Sequence, residues 1–221
     1  MSDIFAEVDE ELRADRAQVL LKKYGGLLLA AAVLVVLCVA GWQYWRWHEA
    51  RETARIAAIF IEASKAAAAA PGKERDTALL EFDQVVREGS AGYRTLARLR
   101  SAAMRFDAGE REVALRLWDD AANDTAADPV LRDLAILLWV WHQIDTGPLD
   151  VLHARLLKLT APDGAWRPMA EEAQALLDIR EGRLDAARGI LKRLGQDPAA
   201  PDGVKGRANG LLERLAAAPG G

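Results

Sequence analysis

The strongest constraint on the fold is an uncharged stretch of 22 residues, 24–45, in which leucine and valine are frequent. An α-helix rises about 1.5 Å per residue, so roughly 20 apolar residues cross the hydrocarbon core of a bilayer, which is about 30 Å thick. The stretch has no polar stripe, whereas long core helices of soluble domains almost always carry one. We therefore predict a transmembrane helix over residues 24–46, and its membrane-spanning residues include Leu28, Val33, Leu34, Val36 and Leu37.

The residues before this stretch argue against a cleaved signal peptide. They number 23 and are net acidic, with six Asp or Glu against four Lys or Arg, whereas a signal peptide begins with a basic region. An aromatic cluster follows the stretch where signal peptidase needs small residues. Cys38 is preceded by the bulky Leu37, whereas lipoprotein processing needs a small residue there. The helix is therefore expected to remain in the chain as an anchor.

The two ends of the predicted helix carry residues that are typical of a membrane interface. Trp and Tyr favour the headgroup region, and Lys or Arg beside a span favours the cytoplasmic side. The basic residues near the two ends are equal in number, but the adjacent Lys22 and Lys23 lie closest to the lipid. We therefore expect a cytoplasmic N-terminus and the following interface residues: Lys22, Lys23, Tyr24, Trp42, Trp45 and Trp47. A haem-handling patch of the tryptophans with His48 is an alternative, but an interface belt already explains their position.

The composition favours an all-α protein. Of the 221 residues, 51% are apolar and only 6% are aromatic, and no β-branched residues alternate with polar ones as in strands. The net charge is −4, and the sequence contains no basic stripe. Both properties argue against nucleic-acid binding. The single cysteine, Cys38, lies in the predicted span, so a disulfide within one chain is excluded.

The segments beside the span have helical patterns of their own. In the tail, residues 1–23, a narrow apolar stripe runs along an acidic helix and consists of Ile4, Phe5, Val8 and Leu12. This tail is either a cytosolic docking helix or a solvated extension of the anchor. Residues 47–72 form a predicted stalk helix that ends at a Pro-Gly pair. A loop over residues 73–76 and a short amphipathic helix over residues 78–87 follow in this prediction.

From residue 93 onward the helical pattern repeats. Gly109 begins the spacing Gly-x4-Ala-x3-aromatic-x2-Ala, which is typical of the second half of a tetratricopeptide repeat. Gly147 and Gly182 follow at intervals of 38 and 35 residues, close to the 34-residue period. Each glycine is expected to end a helix in a left-handed turn.

The middle copy of this repeat is degenerate, because Val140 and Leu152 replace small residues. We predict that residues 73–221 form a right-handed solenoid of three helix pairs, with a capping helix over residues 204–218. The predicted fold class is therefore all-α, with an N-terminal transmembrane helix followed by a tetratricopeptide-like solenoid of helix pairs.

Stacked helix pairs form a concave groove that is lined by the first helix of each pair, here about residues 93–108, 130–146 and 167–181. The second of these helices is apolar on two faces, one of which carries Trp141 and the other Trp139. One face must pack on a neighbouring pair, while the other presents a tryptophan to a partner or is buried as well. The candidate groove residues are Tyr93, Arg100, Trp139, Trp141 and Arg167.

Motifs that carry catalysis are missing from the sequence. Its three histidines are His48, His142 and His153, and no two have ligand spacing on one helix. No Gly-rich phosphate loop, HExxH, GxSxG or CxxC occurs. We therefore expect no catalytic residues, no cofactor and no bound metal, and a protein that is not an enzyme.

Four segments together resemble the ancillary Sec translocon subunit family of proteobacteria, whose members are single-pass inner-membrane proteins. They are GWQYW (41–45), EARETARIA (49–57), GYRTLARLRSAA (92–103) and EGRLDAARGIL (181–191). The resemblance covers most of the chain, but its motifs are general helical patterns. The N-terminal tail SDIFAEVDEELRADR differs enough to allow a subfamily with another partner.

The resemblance implies a cytosolic tail, a periplasmic repeat domain, and association with the Sec translocon, periplasmic chaperones or exported chains. It supplies no catalytic or ligand-binding residues. A scaffold for cytochrome c maturation fits the same anchor and repeats, and so does a factor for envelope assembly or cell division.

Overall fold

The computed structural model describes residues 3–68 and 72–217, apart from the side chains of residues 3–21, 23, 25 and 28. The predicted site residues Lys23 and Leu28 therefore lie outside the described side chains, as does the predicted apolar stripe of the tail. The end of the predicted stalk, residues 69–71, also lies outside the described residues. The described residues contain no strand and nine helices: α1 (Asp3–Ala67), α2 (Lys73–Glu88), α3 (Ala91–Asp107), α4 (Arg111–Asn123), α5 (Pro129–Trp141), α6 (Leu149–Leu157), α7 (Arg167–Arg180), α8 (Leu184–Gln196) and α9 (Asp202–Ala217).

The contacts divide the chain into two units, of which the first is Met1–Ala54. Its described part is helical throughout and belongs to α1. Among the described residues, one helical segment, Leu29–Ala67, is long and apolar enough to cross a membrane. None of its apolar window is buried inside the protein, whereas a core helix of a soluble domain is mostly buried. The predicted spanning residues with described side chains are all exposed: Val33, Leu34, Val36 and Leu37.

The second unit, Arg55–Gly221, is a chain of packed helices. From α2 to α9, each helix packs on the next one in the sequence. In addition, α3 contacts α5, α5 contacts α7, and α7 contacts α9, whereas in the described part of the chain α4, α6 and α8 do not contact one another. The helices α3, α5 and α7 are therefore the first helices of three pairs, and α9 follows them. This arrangement confirms the predicted all-α solenoid of helix pairs.

The apolar core consists of four clusters along the solenoid. The first contains Phe82 and joins the end of α1 to α2 and α3. The second surrounds Trp118 between α3, α4 and α5, and the third surrounds Leu152 between α5, α6 and α7. The fourth contains Leu191 and joins α7, α8 and α9. Because α5 contributes to both the second and the third cluster, it needs apolar residues on two faces.

Two of the three predicted turn glycines adopt the left-handed conformation. Gly109 has φ of 84° and Gly182 has φ of 77°, each just after the end of the first helix of its pair. This region is disfavoured for residues with a side chain, so glycine is the natural residue at both positions. For Gly147 the prediction is wrong, because its φ is not positive. It is buried, and a Cβ atom there would lie 3.0 Å from the carbonyl oxygen of Gln143.

Two predicted boundaries also differ from the structure. Helix α2 begins at Lys73, so the predicted loop over residues 73–76 is wrong. Glu74 and Asp76 lie in its first turn, where acidic side chains are favoured by the helix dipole. Helix α5 ends at Trp141 rather than near residue 146, and His142 is its C-cap. The residues after it form hydrogen-bonded turns. In the last of these turns the backbone N–H of Gly147 donates to the carbonyl oxygen of Gln143.

Candidate functional site

A cleft of about 360 Å³ lies among α5 and α7, the first helices of the second and third pairs, and α9, which follows the pairs. Its apolar lining comes from Trp141, Leu176 and Leu211, one from each helix. Because α7 contacts both α5 and α9, it joins the two sides of this cleft. The remaining lining residues are polar or small: Glu172, Arg207, Gly210 and Arg214. The cleft therefore combines apolar walls with ionic groups, which is typical of sites that bind one or a few side chains of a partner.

An ion pair forms one wall of the cleft. Arg207 on α9 donates two hydrogen bonds, from Nε and Nη2, to the two carboxylate oxygens of Glu172 on α7, each at 2.6 Å. The hydrogen bonds with Glu172 raise the pKa of the Arg207 guanidinium further, although burial acts against them. Glu172 is almost fully buried, while more than half of the Arg207 side chain is exposed. The pair is therefore fixed on its Glu172 side and reaches solvent on its Arg207 side.

The remaining cation of the cleft is Arg214. Among the described residues, it has neither a hydrogen bond nor an ion pair from its side chain, and it is exposed. Since Glu172 and Arg207 offset each other, Arg214 leaves the cleft with an excess of positive charge. A bound group that is apolar and carries a nearby carboxylate would match both properties of the cleft.

The two predicted tryptophans of α5 have different surroundings. Trp141 lines the cleft and packs against the third core cluster, whereas Trp139 packs against the second and third clusters, on both sides of α5. The guanidinium of Arg155 lies over the Trp139 ring, 3.8 Å from its centroid. Arg155 in turn donates a hydrogen bond of 2.6 Å to Asp119 on α4. Trp139 is therefore covered by a residue of α6, while Trp141 is the tryptophan that lines the cleft.

The other predicted groove residues lie on α3 and α7. Tyr93 packs edge-on against Phe60 at 5.8 Å in the first core cluster, and Arg100 is exposed on α3. Arg167 donates a hydrogen bond of 2.6 Å to Asp197, and this contact raises the pKa of its guanidinium. None of these three residues lines the cleft that contains Trp141. Their role in partner binding stays a prediction.

A second cleft, of about 580 Å³, lies between α6, α7 and α8. His153 lines it and belongs to a polar cluster with Asp178 and Glu181, whose candidate ligand atoms lie within 4.8 Å of one another. His153 Nε2 is 3.0 Å from the Glu181 carboxylate. Sequence reasoning missed this cluster, because its members come from different elements and no local spacing links them.

The cluster already contains a cation. Arg183 donates a hydrogen bond of 2.6 Å to Asp178 and also forms an ion pair with Glu181. Its Nη2 lies 3.2 Å from His153 Nε2. The contact with Asp178 raises the pKa of the Arg183 guanidinium. The arrangement therefore pairs two carboxylates with one guanidinium from the turn between the helices, and the contacts with His153 tie the α7–α8 turn to α6.

The profile of one protein family, described as a tetratricopeptide repeat-like domain, matches residues 20–193. The match includes most of the apolar helix and the three helix pairs of the solenoid up to residue 193, within α8. No curated protein matches the chain, and no solved structure does.

Proposed function

Because the chain belongs to the tetratricopeptide repeat-like domain family, we propose that it is a membrane-anchored scaffold whose repeats bind protein. Domains of this kind are typically non-enzymatic, and their stacked helix pairs offer an extended concave surface. The long apolar helix supports the membrane anchor, since it has the length and composition of a span. A tether to the membrane raises the local concentration of the repeat surface, so weak affinity for each partner is sufficient.

The observation that carries this proposal is the cleft between α5, α7 and α9. It lies where the first helices of two successive pairs meet α9, and it places the indole of Trp141 beside two arginines. Tryptophan and arginine are the residues most enriched among those that dominate binding energy at interfaces. We infer that Trp141 is an anchor of the binding surface and that Arg214, the cation of the cleft that Glu172 does not offset, favours acidic partner segments.

The proposed partner is the Sec translocon, together with periplasmic chaperones or exported chains. This assignment is supported by the sequence resemblance and by the position of Lys22 and Lys23 before the span. In this proposal residues 1–23 are a cytosolic tail, residues 24–46 cross the inner membrane, residues 47–72 form a stalk, and residues 73–221 are the periplasmic repeat domain.

Site-specific photo-crosslinking in native membranes tests the partner. A photoreactive residue at position 141 is compared with one at position 116, an exposed arginine on α4, which is a second helix of a pair. We expect position 141 to crosslink translocon subunits, chaperones or exported chains, identified by mass spectrometry, and position 116 to give no such products. Equal crosslinking at both positions would contradict a groove anchored at Trp141. Recovery of only cytochrome c maturation components would contradict the Sec assignment.

A topology reporter tests the orientation. Alkaline phosphatase, which is active only outside the cytoplasm, is fused after Gly221 and compared with a fluorescent reporter that matures only in the cytoplasm. We expect phosphatase activity and no fluorescence. The opposite pattern would place the repeats in the cytoplasm, and the periplasmic partners would then be excluded.

A further inference from the structure

Three arginines have the same position in the three helix pairs of the solenoid. Arg94, Arg132 and Arg167 each lie 15 residues before the turn glycine of their pair, which is Gly109, Gly147 and Gly182 respectively. They belong to α3, α5 and α7, the first helices of the pairs. A residue that recurs at one register of a repeat is expected to have the same role in each copy.

In the first and third pairs, the arginine binds an aspartate that follows the second helix. Arg94 Nε donates to Asp124 at 3.1 Å, and Arg167 Nη2 donates to Asp197 at 2.6 Å. Each aspartate lies 30 residues after its arginine. Each also accepts a hydrogen bond from the backbone N–H two residues later, at 3.1 Å for Asp124 and 2.8 Å for Asp197. The same ion pair therefore ties the second helix to the first in both pairs.

The middle pair has the arginine but not the aspartate. The residue 30 positions after Arg132 is Pro162, which has no carboxylate. Asp163 follows it, but among the described residues Asp163 is exposed and forms no hydrogen bond or ion pair with Arg132. The Arg132 Nε atom is buried and has no hydrogen-bond partner. Within the described residues, its guanidinium forms no ion pair either. A buried donor of a charged group that remains unpaired is costly, and such groups are normally paired with an opposite charge.

Carboxylates close to Arg132 in the sequence are engaged elsewhere. Asp128 caps the start of α5, because its side chain accepts a hydrogen bond of 2.7 Å from the backbone N–H of Val130. Asp133 forms an ion pair of 3.1 Å with Lys158. Neither of these two carboxylates pairs with Arg132, which is half-buried and so remains partly accessible to solvent.

We propose that Arg132 is a binding site for a carboxylate of an acidic protein segment. The ligand chemistry follows from the two equivalent arginines, each of which binds a carboxylate in its own repeat. The inference rests on the proposed function, because it assigns one contact of the bound partner to a named residue. It adds a position outside the cleft of α5, α7 and α9, near the start of α5 rather than near its end.

Peptide binding to the full chain tests this site. The protein is placed in nanodiscs of phosphatidylcholine, which carries no net charge, and titrated with a fluorescent peptide of alternating Asp and Ala. The control peptide replaces each Asp with Asn. We expect the acidic peptide to bind and the Asn peptide to bind about tenfold more weakly or worse, because the Asn amide carries no charge to pair with the guanidinium.

Two variants assign the binding to Arg132. Arg132→Gln removes the cation, and Pro162→Asp supplies the carboxylate that the other two pairs contain. We expect both to weaken binding of the acidic peptide about tenfold, whereas Arg116→Gln, an exposed control on α4, leaves it unchanged. We also expect neither variant to lower the thermal midpoint, since Arg132→Gln removes an unpaired charge and Pro162→Asp adds an ion pair.

Several outcomes would overturn the proposal. One is acidic-peptide affinity within twofold of the wild type in Arg132→Gln, whatever the effect of Pro162→Asp. Another is equal binding of the Asp and Asn peptides. A third is binding of inorganic phosphate, seen as a spectroscopic change at Arg132, without any binding of the acidic peptide, because the site would then select phosphate.

The crosslinking at position 141 is a separate measurement. If the acidic peptide depends on Arg132 but position 141 crosslinks no protein, the groove proposal fails and the carboxylate site stands. If position 141 crosslinks its partners equally well in the wild type and in Arg132→Gln, and peptide binding is unchanged as well, the carboxylate site fails and the scaffold proposal stands.

Discussion

Arg207 on α9 donates two hydrogen bonds, each of 2.6 Å, to the carboxylate of Glu172, which is only 1% exposed on α7. The buried carboxylate depends on this single guanidinium for its charge compensation among the described residues. We expect Arg207→Ala to lower the free energy of unfolding by roughly 1.5–3 kcal/mol, measured by chemical denaturation in detergent. The estimate lies below that for a fully buried pair, because water reaches Arg207.

Arg214→Ala is the matched control for this prediction. Arg214 lies on the same helix and lines the same cleft, but it has no ion pair in the described part of the chain. We expect its removal to change stability by less than about 0.5 kcal/mol. Equal destabilisation by the two variants would show that the Glu172 carboxylate does not need Arg207.

Trp118 is the largest fully buried side chain of the described residues, and it is expected to be a major determinant of stability. His142 stacks on its ring at 4.2 Å, and Phe106 packs against it at 6.0 Å. We expect Trp118→Ala to cost about 3–5 kcal/mol, because it leaves a large cavity between α3, α4 and α5. Circular dichroism during thermal and denaturant unfolding measures the loss.

Trp141→Ala separates binding from stability. This residue is only half-buried and lines the cleft, so its truncation opens no closed cavity. We expect a loss of stability well below that of Trp118→Ala, together with loss of partner recovery when the chain is purified from membranes. A similar cost for both tryptophans would mean that Trp141 is part of the core rather than of a binding surface.

The elements that could be predicted from the sequence are those set by local pattern. The spacing after Gly109 fixed a helix pair because its small residues and Trp118 must share one buried face, and all of them are buried in the structure. The two apolar faces of α5 could also be predicted from the sequence, since a helix between two repeats packs on both sides. The apolar segment was predictable because length and composition are local properties.

The features that could not be predicted depend on contacts between distant residues. His153 and Arg183 lie 30 positions apart, and only the packing of α6 on α7 brings them together. Gly147 was predicted to have a left-handed backbone, but its small size is needed for a close approach to Gln143. The absence of an ion pair at Arg132 among the described residues could not be predicted from the sequence, because only the structure shows that Arg94 and Arg167 bind aspartates.

Acid should weaken the solenoid through Asp124 and Asp197. Burial raises the pKa of Asp124, but hydrogen bonds from Ala126 and Arg94 outweigh it and hold this pKa below its usual value. For Asp197, hydrogen bonds from the backbone of Ala199 and from Arg167 lower the pKa. A carboxyl whose pKa is lower in the folded state stabilises that state above its unfolded pKa, and the contribution is lost as the pH falls through the folded pKa.

We therefore expect the free energy of unfolding to fall as the pH drops below about 4, the ordinary pKa of an aspartate. Asp124→Asn and Asp197→Asn should each reduce the loss of unfolding free energy on acidification. Each should also lower the free energy of unfolding at neutral pH. Asp185→Asn is the control, because the Asp185 side chain is fully exposed on α8. An unchanged pH profile in both of the first two variants would show that these ion pairs do not contribute to stability.

The α7–α8 turn offers a test of backbone strain with an internal control. Gly182 has φ of 77°, and a Cβ atom there would meet no heavy atom within 4 Å. The effect of Gly182→Ala therefore comes from the backbone alone. Alanine in the left-handed region costs about 1–2 kcal/mol, and a smaller entropic gain in the unfolded chain offsets part of this. We expect a net loss of about 1 kcal/mol in denaturant unfolding.

Gly189→Ala should have the opposite sign. Gly189 lies in the interior of α8, and a Cβ atom there also meets nothing within 4 Å. Alanine favours a helix interior over glycine by about 0.5–1 kcal/mol, so this variant is expected to be more stable than the wild type. The two substitutions are chemically identical and only seven residues apart, so opposite signs can arise only from the backbone conformation at each site. Stabilisation by both variants would contradict the left-handed turn at Gly182.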